Sequence, residues 1–272
     1  MKKLRQAIAD NNSLLAGLQL ANIFKTEGVN PQSYLCTILQ WAEQVKKEMR
    51  VSARDADSFQ QLRRYFYVDL AFSGDQKQDC ISHNHLLNQV IDYRTGIAIT
   101  LSIVFQALAK AVGFNVSGIN FPGHFLLKCQ FDNAATIYLD PLNGNQLTRD
   151  DLAALYFSIL PSVEDEKMPE EALDEASCAE TVVRLLHNLK STFINTKSYD
   201  NALTVVEILV NLCPNDPYER RDRGFLLHQL DCTQVAIADY QYFIRKCPKD
   251  PSSQLLQAQL QQLAEQQPEV FH

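Results

Sequence analysis

Two positions in the middle of the sequence have the types and spacing of part of a nucleophilic site. His124 opens one β-rich run and Asp140 closes the next, so pairing the runs as a hairpin brings an imidazole and a carboxylate to one sheet end. An imidazole oriented by a carboxylate is the base half of a catalytic triad. The nucleophile belongs at a helix N-terminus, where the macrodipole favours a thiolate. The helix in question is 97–112, IAITLSIVFQALAKAV, which starts just after Gly96. Its first turn is Ile97, Ala98, Ile99 and Thr100, and none of these is a thiol. Thr100 and Ser102 carry hydroxyls, which either attack with His124 as base or bond back to the preceding helical turn. Cys129 lies an odd number of residues beyond His124 and so on the opposite strand face, and nothing local positions Cys80. Arg94, just before Gly96, either clamps an anionic ligand group or pairs with Asp92 or Asp140. His124 and Asp140 also have a plain reading, as residues of the Gly-His and Asp-Pro turns.

The elements around these residues follow from periodicity. Segments 4–25, 33–50 and 55–73 have apolar residues at helical spacing, and Gly74 ends the third. Helix 97–112 is apolar nearly all round, hence buried on most sides, and Gly113 caps it. Runs 114–120, 124–131 and 136–139 predict three strands separated by Pro122–Gly123 and Asp132–Asn133, and 150–160 returns to helix. A buried helix followed by such strands predicts an α+β domain with the helix on an antiparallel sheet. Residues 161–177 hold seven acidic residues, one lysine and two prolines, the composition of a solvated linker. Beyond it, CPND at 213–216 returns as CPKD at 247–250, a 34-residue offset that matches the tetratricopeptide period. In the second unit, 217–250, Gly224 and Ala236 permit close helix approach, and Tyr240 and Phe243 fill the groove. The first unit keeps Tyr199, Ala202 and Pro214 in register but has Lys190 where Gly224 sits, and 251–266 reads as a closing helix. The domains predicted are therefore 1–160, a linker at 161–177, and repeats at 178–272.

Composition narrows the partners. A net charge of −7 over 272 residues disfavours nucleic acid and anionic membranes. The cysteine count is seven, without a CxxC pair, which predicts reduced thiols and neither a disulfide framework nor a metal site. The N-terminus lacks a signal-peptide apolar stretch and no segment has the roughly 18 apolar residues of a membrane span, so a cytoplasmic location is expected. No cofactor is expected.

The layout resembles the transglutaminase-like superfamily, in which Gly-x-Cys opens a buried helix, Gly-His starts a strand and Asp-Pro ends the next. The resemblance places the nucleophile position at Ala98, the histidine at His124 and the aspartate at Asp140. A closer resemblance is to the SirB-type family of bacterial proteins, which joins such a domain to C-terminal tetratricopeptide repeats. Asn84, Leu87, Val90, Arg94, Gly96, Ile99 and Leu101 match its first motif. Pro122, Gly123, His124 and Phe125 match its second, and Asp140, Pro141 and Gly144 its third. Ala98 and Thr100 depart from it, standing where that family has proline and serine. The resemblance implies a pseudoenzyme that binds a protein or peptide, with Arg94, Gly96, Thr100 and Gly123 lining the groove. The alternatives are an amide-bond hydrolase or transferase with a Ser or Thr nucleophile, and a purely structural scaffold.

Overall fold

The buried helix forms as its sequence requires, and the first part of the chain is arranged around it. A computed structural model describes residues 1–24, 29–49, 55–75, 83–132, 134–160 and 167–265. The chain divides into a unit Met1–Leu185 and a unit Leu186–His272. The first begins with helices α1 (Lys2–Ala9), α2 (Ser13–Ile23), α3 (Pro31–Met49) and α4 (Ala56–Arg64). A π-helical turn, Tyr65–Asp69, continues α4, with the Leu70 N–H reaching back to the Tyr65 carbonyl at 2.8 Å. Strand β1 (Ser73–Gly74), helix α5 (Leu87–Tyr93), strand β2 (Thr95–Gly96) and helix α6 (Ala98–Val112) follow. Next come β3 (Asn115–Ile119), β4 (Leu126–Gln130), β5 (Ile137–Leu139), β6 (Gln146–Leu147) and α7 (Arg149–Ile159).

Helix α6 packs on α2, α3 and α5 on one side and on β3 and β4 on the other. It ends where expected, at Gly113 with φ 114°. The sheet order is β3-β4-β5-β6, antiparallel throughout. Its fourth strand goes beyond the three expected, because two residues are too few to show alternation. On the face away from α6, Ile119, Leu126 and Tyr138 pack with Phe121, Leu152 of α7 and Leu173. The segment expected as one helix over 4–25 is in fact two. Asn11 turns left-handed at φ 51°, and the Asn12 side chain caps α2 by accepting the Leu15 N–H at 2.9 Å.

The acidic segment differs from a solvated connection where it is described. Met168, Ala172 and buried Leu173 pack on the sheet cluster, Glu175 bridges Ile119, and the Ala176 N–H donates to the Gly118 carbonyl at 2.8 Å. Charge composition hides this, because the anchoring residues are few and apolar. Residues 161–166, and Cys80 further upstream, lie outside the described residues.

Helix α8 (Cys178–Asn195) crosses the boundary between the units. The second unit continues with α9 (Tyr199–Leu212), α10 (Pro217–Gln229), α11 (Thr233–Lys246) and α12 (Pro251–Glu265). A Cβ on Gly224 would lie 2.8 Å from the Tyr240 ring, which is why the α10–α11 hairpin requires glycine there. Lys190 instead spans to α10. Its ammonium lies 2.9 Å from Glu219 Oε2 and 2.7 Å from Asp222 Oδ2.

Candidate functional site

His124 does not lie in a strand. It precedes β4 by two residues, at the end of a turn in which Gly123 adopts φ +67° and the His124 N–H donates to the Phe121 carbonyl at 3.2 Å. Ile159 of α7 lies against Gly123, where an added Cβ would come within 2.8 Å of it. Asp140 follows β5 directly. The two side chains meet, with His124 Nε2 3.0 Å from Asp140 Oδ1. Asp140 also accepts the Leu142 N–H at Oδ1 (3.0 Å) and the Asn143 amide at Oδ2 (3.2 Å). Burial raises the carboxyl pKa. The His124 bond and charge, with the Leu142 and Asn143 bonds, outweigh it and hold Asp140 below the ordinary carboxylate range. An ionised Asp140 facing Nε2 makes Nε2 the nitrogen that donates to the carboxylate, with Nδ1 on the far side of the ring.

The depressed Asp140 pKa ties the stability of the fold to pH. It contributes stability that is complete above the unfolded value of about 3.9 and is lost as pH falls through the folded value. Asp140→Asn is expected to cost about 1–3 kcal/mol at neutral pH, through a weakened buried network. Urea melts should show that gap closing as pH drops below about 4. A constant gap at both pH values would contradict it.

Ala98 is half-buried at the first position of α6. Helix α6 runs antiparallel to β3, and Gln106 lies level with Gly118, so the N-terminus of α6 lies at the sheet end where β4 starts and β5 finishes. Hydrogen bonds tie the two sides together. Gly74 of β1 pairs with Gly96 of β2, two residues before Ala98, and its N–H donates to the Leu142 carbonyl at 2.7 Å.

The remaining site residues are placed differently from expectation. Thr100 is fully buried and its hydroxyl is committed. It accepts the Ile97 N–H at 3.0 Å and donates to the Asn84 carbonyl at 2.8 Å, which removes it from the groove lining. Gly96 is buried, and a Cβ there would lie 2.7 Å from Thr100 Oγ1, so its role is close packing. Arg94 ends α5 in a left-handed conformation at φ 61°. Its guanidinium lies 4.1 Å from the Trp41 ring centroid and 5.0 Å from that of Phe72, with Nη1 lacking an acceptor among the described residues. Burial pushes its pKa down. The guanidinium thus packs in the helical layer, on the rings of Trp41 and Phe72. Ser102, one turn below Ala98 on the same helix face, is fully buried with no hydroxyl partner among the described residues. Burial pushes the Cys129 thiol up to about 12, which makes it inert. Among the described residues no group of three or more His, Cys, Asp and Glu side chains is placed to hold a metal.

Sequence reasoning missed the groups that hold the Asp140 turn. The Tyr67 hydroxyl donates to the Pro141 carbonyl at 3.0 Å, and Arg63 Nη1 donates to the Gly144 carbonyl at 3.1 Å. Gly144, at φ +73°, lies against the Tyr67 ring, which leaves no room for a Cβ. Burial, reinforced by the Asp140 charge, raises the Tyr67 phenol pKa. The Asp-Pro-x-x-Gly spacing signals the turn but not its donors.

A buried helix that starts at the sheet end carrying a histidine–aspartate pair is the arrangement of the transglutaminase-like class, and the model of the transglutaminase-like superfamily matches residues 32–187. A tetratricopeptide-repeat model matches residues 189–261. Within that class, the chain belongs to the family of the proteins named UPF0162 and SirB1. The UPF0162 protein of Vibrio cholerae is 34% identical over 254 residues, covering 90% of this chain and 92% of the relative. Protein SirB1 of Salmonella typhimurium is 32% identical over 212 residues, 78% of each chain. YchA of Escherichia coli is 32% identical over 209 residues, 76% of this chain and 77% of the relative. Among solved structures, a crystal structure of menin, described as revealing the binding site for the Mixed Lineage Leukemia protein, overlaps at TM-score 0.39 and 10% identity. The overlap covers 89% of this chain and 68% of menin, and it is too loose to bear on function.

Proposed function

We propose that this chain is a cytoplasmic, non-catalytic recognition protein that binds a protein or peptide at the sheet end formed by His124, Asp140 and the N-terminus of α6. Ala98 carries the reading: the position that opens α6 has nothing to ionise, while the histidine–aspartate pair at the same end of the sheet is intact. Removing a nucleophile from such a constellation costs several orders of magnitude in rate. Thr100 is a poor substitute because its hydroxyl is engaged on both sides. Ser102 lies below the helix's first turn in the core. The repeats supply a second surface of the type that arrays of helix pairs present to partners. Among the described residues no helix is long and apolar enough to cross a membrane.

The test is capture of partners from the native cell with wild type, His124→Ala and Leu255→Glu, followed by measured affinities for whatever is retained. Leu255 is 74% exposed on α12, so its replacement reports on the repeat surface without touching a core. The expected result is a partner whose affinity falls at least about tenfold in His124→Ala, as removal of one central polar contact does. Loss only in Leu255→Glu would move the function to the repeats. Turnover of amide or peptide substrates by wild type above the His124→Ala background would end the non-catalytic reading.

A further inference from the structure

The Asp140 turn closes on itself. The Asp140 carbonyl accepts the Gly144 N–H at 2.8 Å, and the Asp140 N–H donates to the Asn145 carbonyl at 2.9 Å. Of the remaining carbonyls of the turn, Pro141, Leu142 and Gly144 are satisfied from outside it. All three take donors from a single stretch of the helical N-terminal part. Tyr67 serves Pro141 at 3.0 Å, Gly74 serves Leu142 at 2.7 Å, and Arg63 serves Gly144 at 3.1 Å. The same stretch then pairs with β2, at Ser73–Thr95 and Gly74–Gly96, and the Asp75 N–H donates to the Gly96 carbonyl at 3.2 Å. It is therefore bonded to both halves of the site, the acid turn and the lead-in to α6.

We infer that residues 63–75 are a positioning clamp that sets His124–Asp140 against the N-terminus of α6, with Tyr67 and Arg63 as its positioning residues. The π-helical turn Tyr65–Asp69 is part of the device. One extra residue in the helical turn changes the direction of the chain between α4 and β1, and such insertions concentrate at functional sites. Arg63 comes from the last turn of α4 and Tyr67 from within the π-helical turn, and they reach carbonyls three residues apart. The Tyr67 ring also fills the space under Gly144, so the hydroxyl and the ring fix the turn in two directions. Asp140 is thereby prevented from rotating away from His124. With Nε2 held against the carboxylate, Nδ1 is the ring nitrogen turned away from Asp140 and, on the proposal, toward the N-terminus of α6.

The inference rests on the reading of this sheet end as the recognition site, and its test separates the two. The ring nitrogens of His124 are followed by ¹⁵N NMR in the full chain, for wild type, Tyr67→Phe, Arg63→Met and the double variant. Wild type should show the Nε2–H form alone. The double variant should lose that single-tautomer signature. In an Ala98→Cys background, Tyr67→Phe/Arg63→Met should also slow thiol alkylation at neutral pH by roughly threefold, because the imidazole no longer faces the thiol. Leu152→Ala, on the other face of the sheet, serves as a destabilised control and should leave both readings at their wild-type values. An unchanged tautomer and alkylation rate in the double variant, with both moved by Asp140→Asn, would overturn the clamp. Tyr67→Phe alone keeps the ring under Gly144, and its tautomer and alkylation rate decide in the same way should the double variant not fold. Partner affinity is measured in parallel: a shifted tautomer with unchanged affinity upholds the clamp and removes the recognition reading instead.

Discussion

Replacing Ala98 with cysteine is expected to create a thiol that is ionised well below the ordinary value of about 8.5. Position 98 is the first residue of α6, where the N–H groups of the first turn and the helix dipole favour negative charge. His124, at the same end of the sheet, is held by Asp140 through Nε2. These two effects together lower thiol pKa values by about 1–5 units in proteins, and a value of about 7 is expected here. The gain in reactivity is smaller than the gain in thiolate. Moving from about 8.5 to about 7 raises the thiolate fraction at pH 7 roughly sixteenfold, but nucleophilicity falls roughly fivefold with the drop in basicity. A net increase of about threefold over an ordinary exposed thiol at pH 7 is predicted. Cys36 and Cys232 are exposed and supply that reference within the same molecule. The measurement is the pH profile of alkylation, read site by site by mass spectrometry. Adding His124→Ala should return the profile toward the reference. If the thiol introduced by Ala98→Cys titrates with Cys36, the α6 terminus and His124 do not act on one point. Robust amide turnover by Ala98→Cys would show that the groove lacks only its thiol.

The second large effect is expected in the repeats, at Lys190. Its ammonium lies between Glu219 and Asp222, and His187 Nε2 lies 2.8 Å from Glu219 Oε1. Glu219 is 2% exposed, so its charge depends on these partners. Burial pushes its carboxyl up, but the bonds and charges of His187 and Lys190 outweigh this and hold it below the ordinary glutamate value. Lys190→Ala leaves the buried Glu219 carboxylate with His187 as its one remaining partner among the described residues, at a cost of about 3–5 kcal/mol. Lys190→Met with Glu219→Gln removes both charges and should recover most of that loss, since a matched apolar or neutral pair is often as stable as a buried ion pair. The pH dependence has a definite sign. In wild type the Glu219 contribution is complete above about 4.3 and is lost only as pH falls through its lower folded value. In Lys190→Ala the carboxyl pKa rises, so acid unfolding of the repeats should begin at a higher pH. Hydrogen exchange at α9 and α10 amides follows this unit by itself. A loss under about 1 kcal/mol in Lys190→Ala would assign the network no more than the weight of a surface pair.

Much of this molecule is legible in its residues. Helix 98–112 and its Gly113 cap follow from an apolar run closed by glycine, and neither depends on what packs around them. The 34-residue return of Cys-Pro-x-Asp marks the helix-pair repeats, because identical turns recur at identical spacing. His124 and Asp140 are recoverable because each lies at the boundary of a strand, where order along the chain already dictates neighbourhood in an antiparallel hairpin. Arg94 shows where this ends. Its position before Gly96 suggests a ligand clamp or a pair with Asp92 or Asp140, and nothing near it in the sequence signals that the guanidinium lies over Trp41, more than fifty residues earlier in the chain. Lys190 is visible as an anomaly in the repeat, but its partners Glu219 and Asp222 come from the next helix pair and carry no local signal.

Buried helix 98–112, its glycine cap, the helix-pair repeats and the lack of a nucleophile at the position opening α6 are set by the residues alone, because local propensity, caps and residue chemistry act within a few residues. The tertiary structure alone decided which hydroxyls, guanidinium groups and carbonyls meet. Thr100 is engaged by Asn84, sixteen residues away, and the Asp140 turn is held by Arg63, Tyr67 and Gly74 from the far side of the unit. Those bonds are directional and long-range, and no periodicity along the chain encodes them.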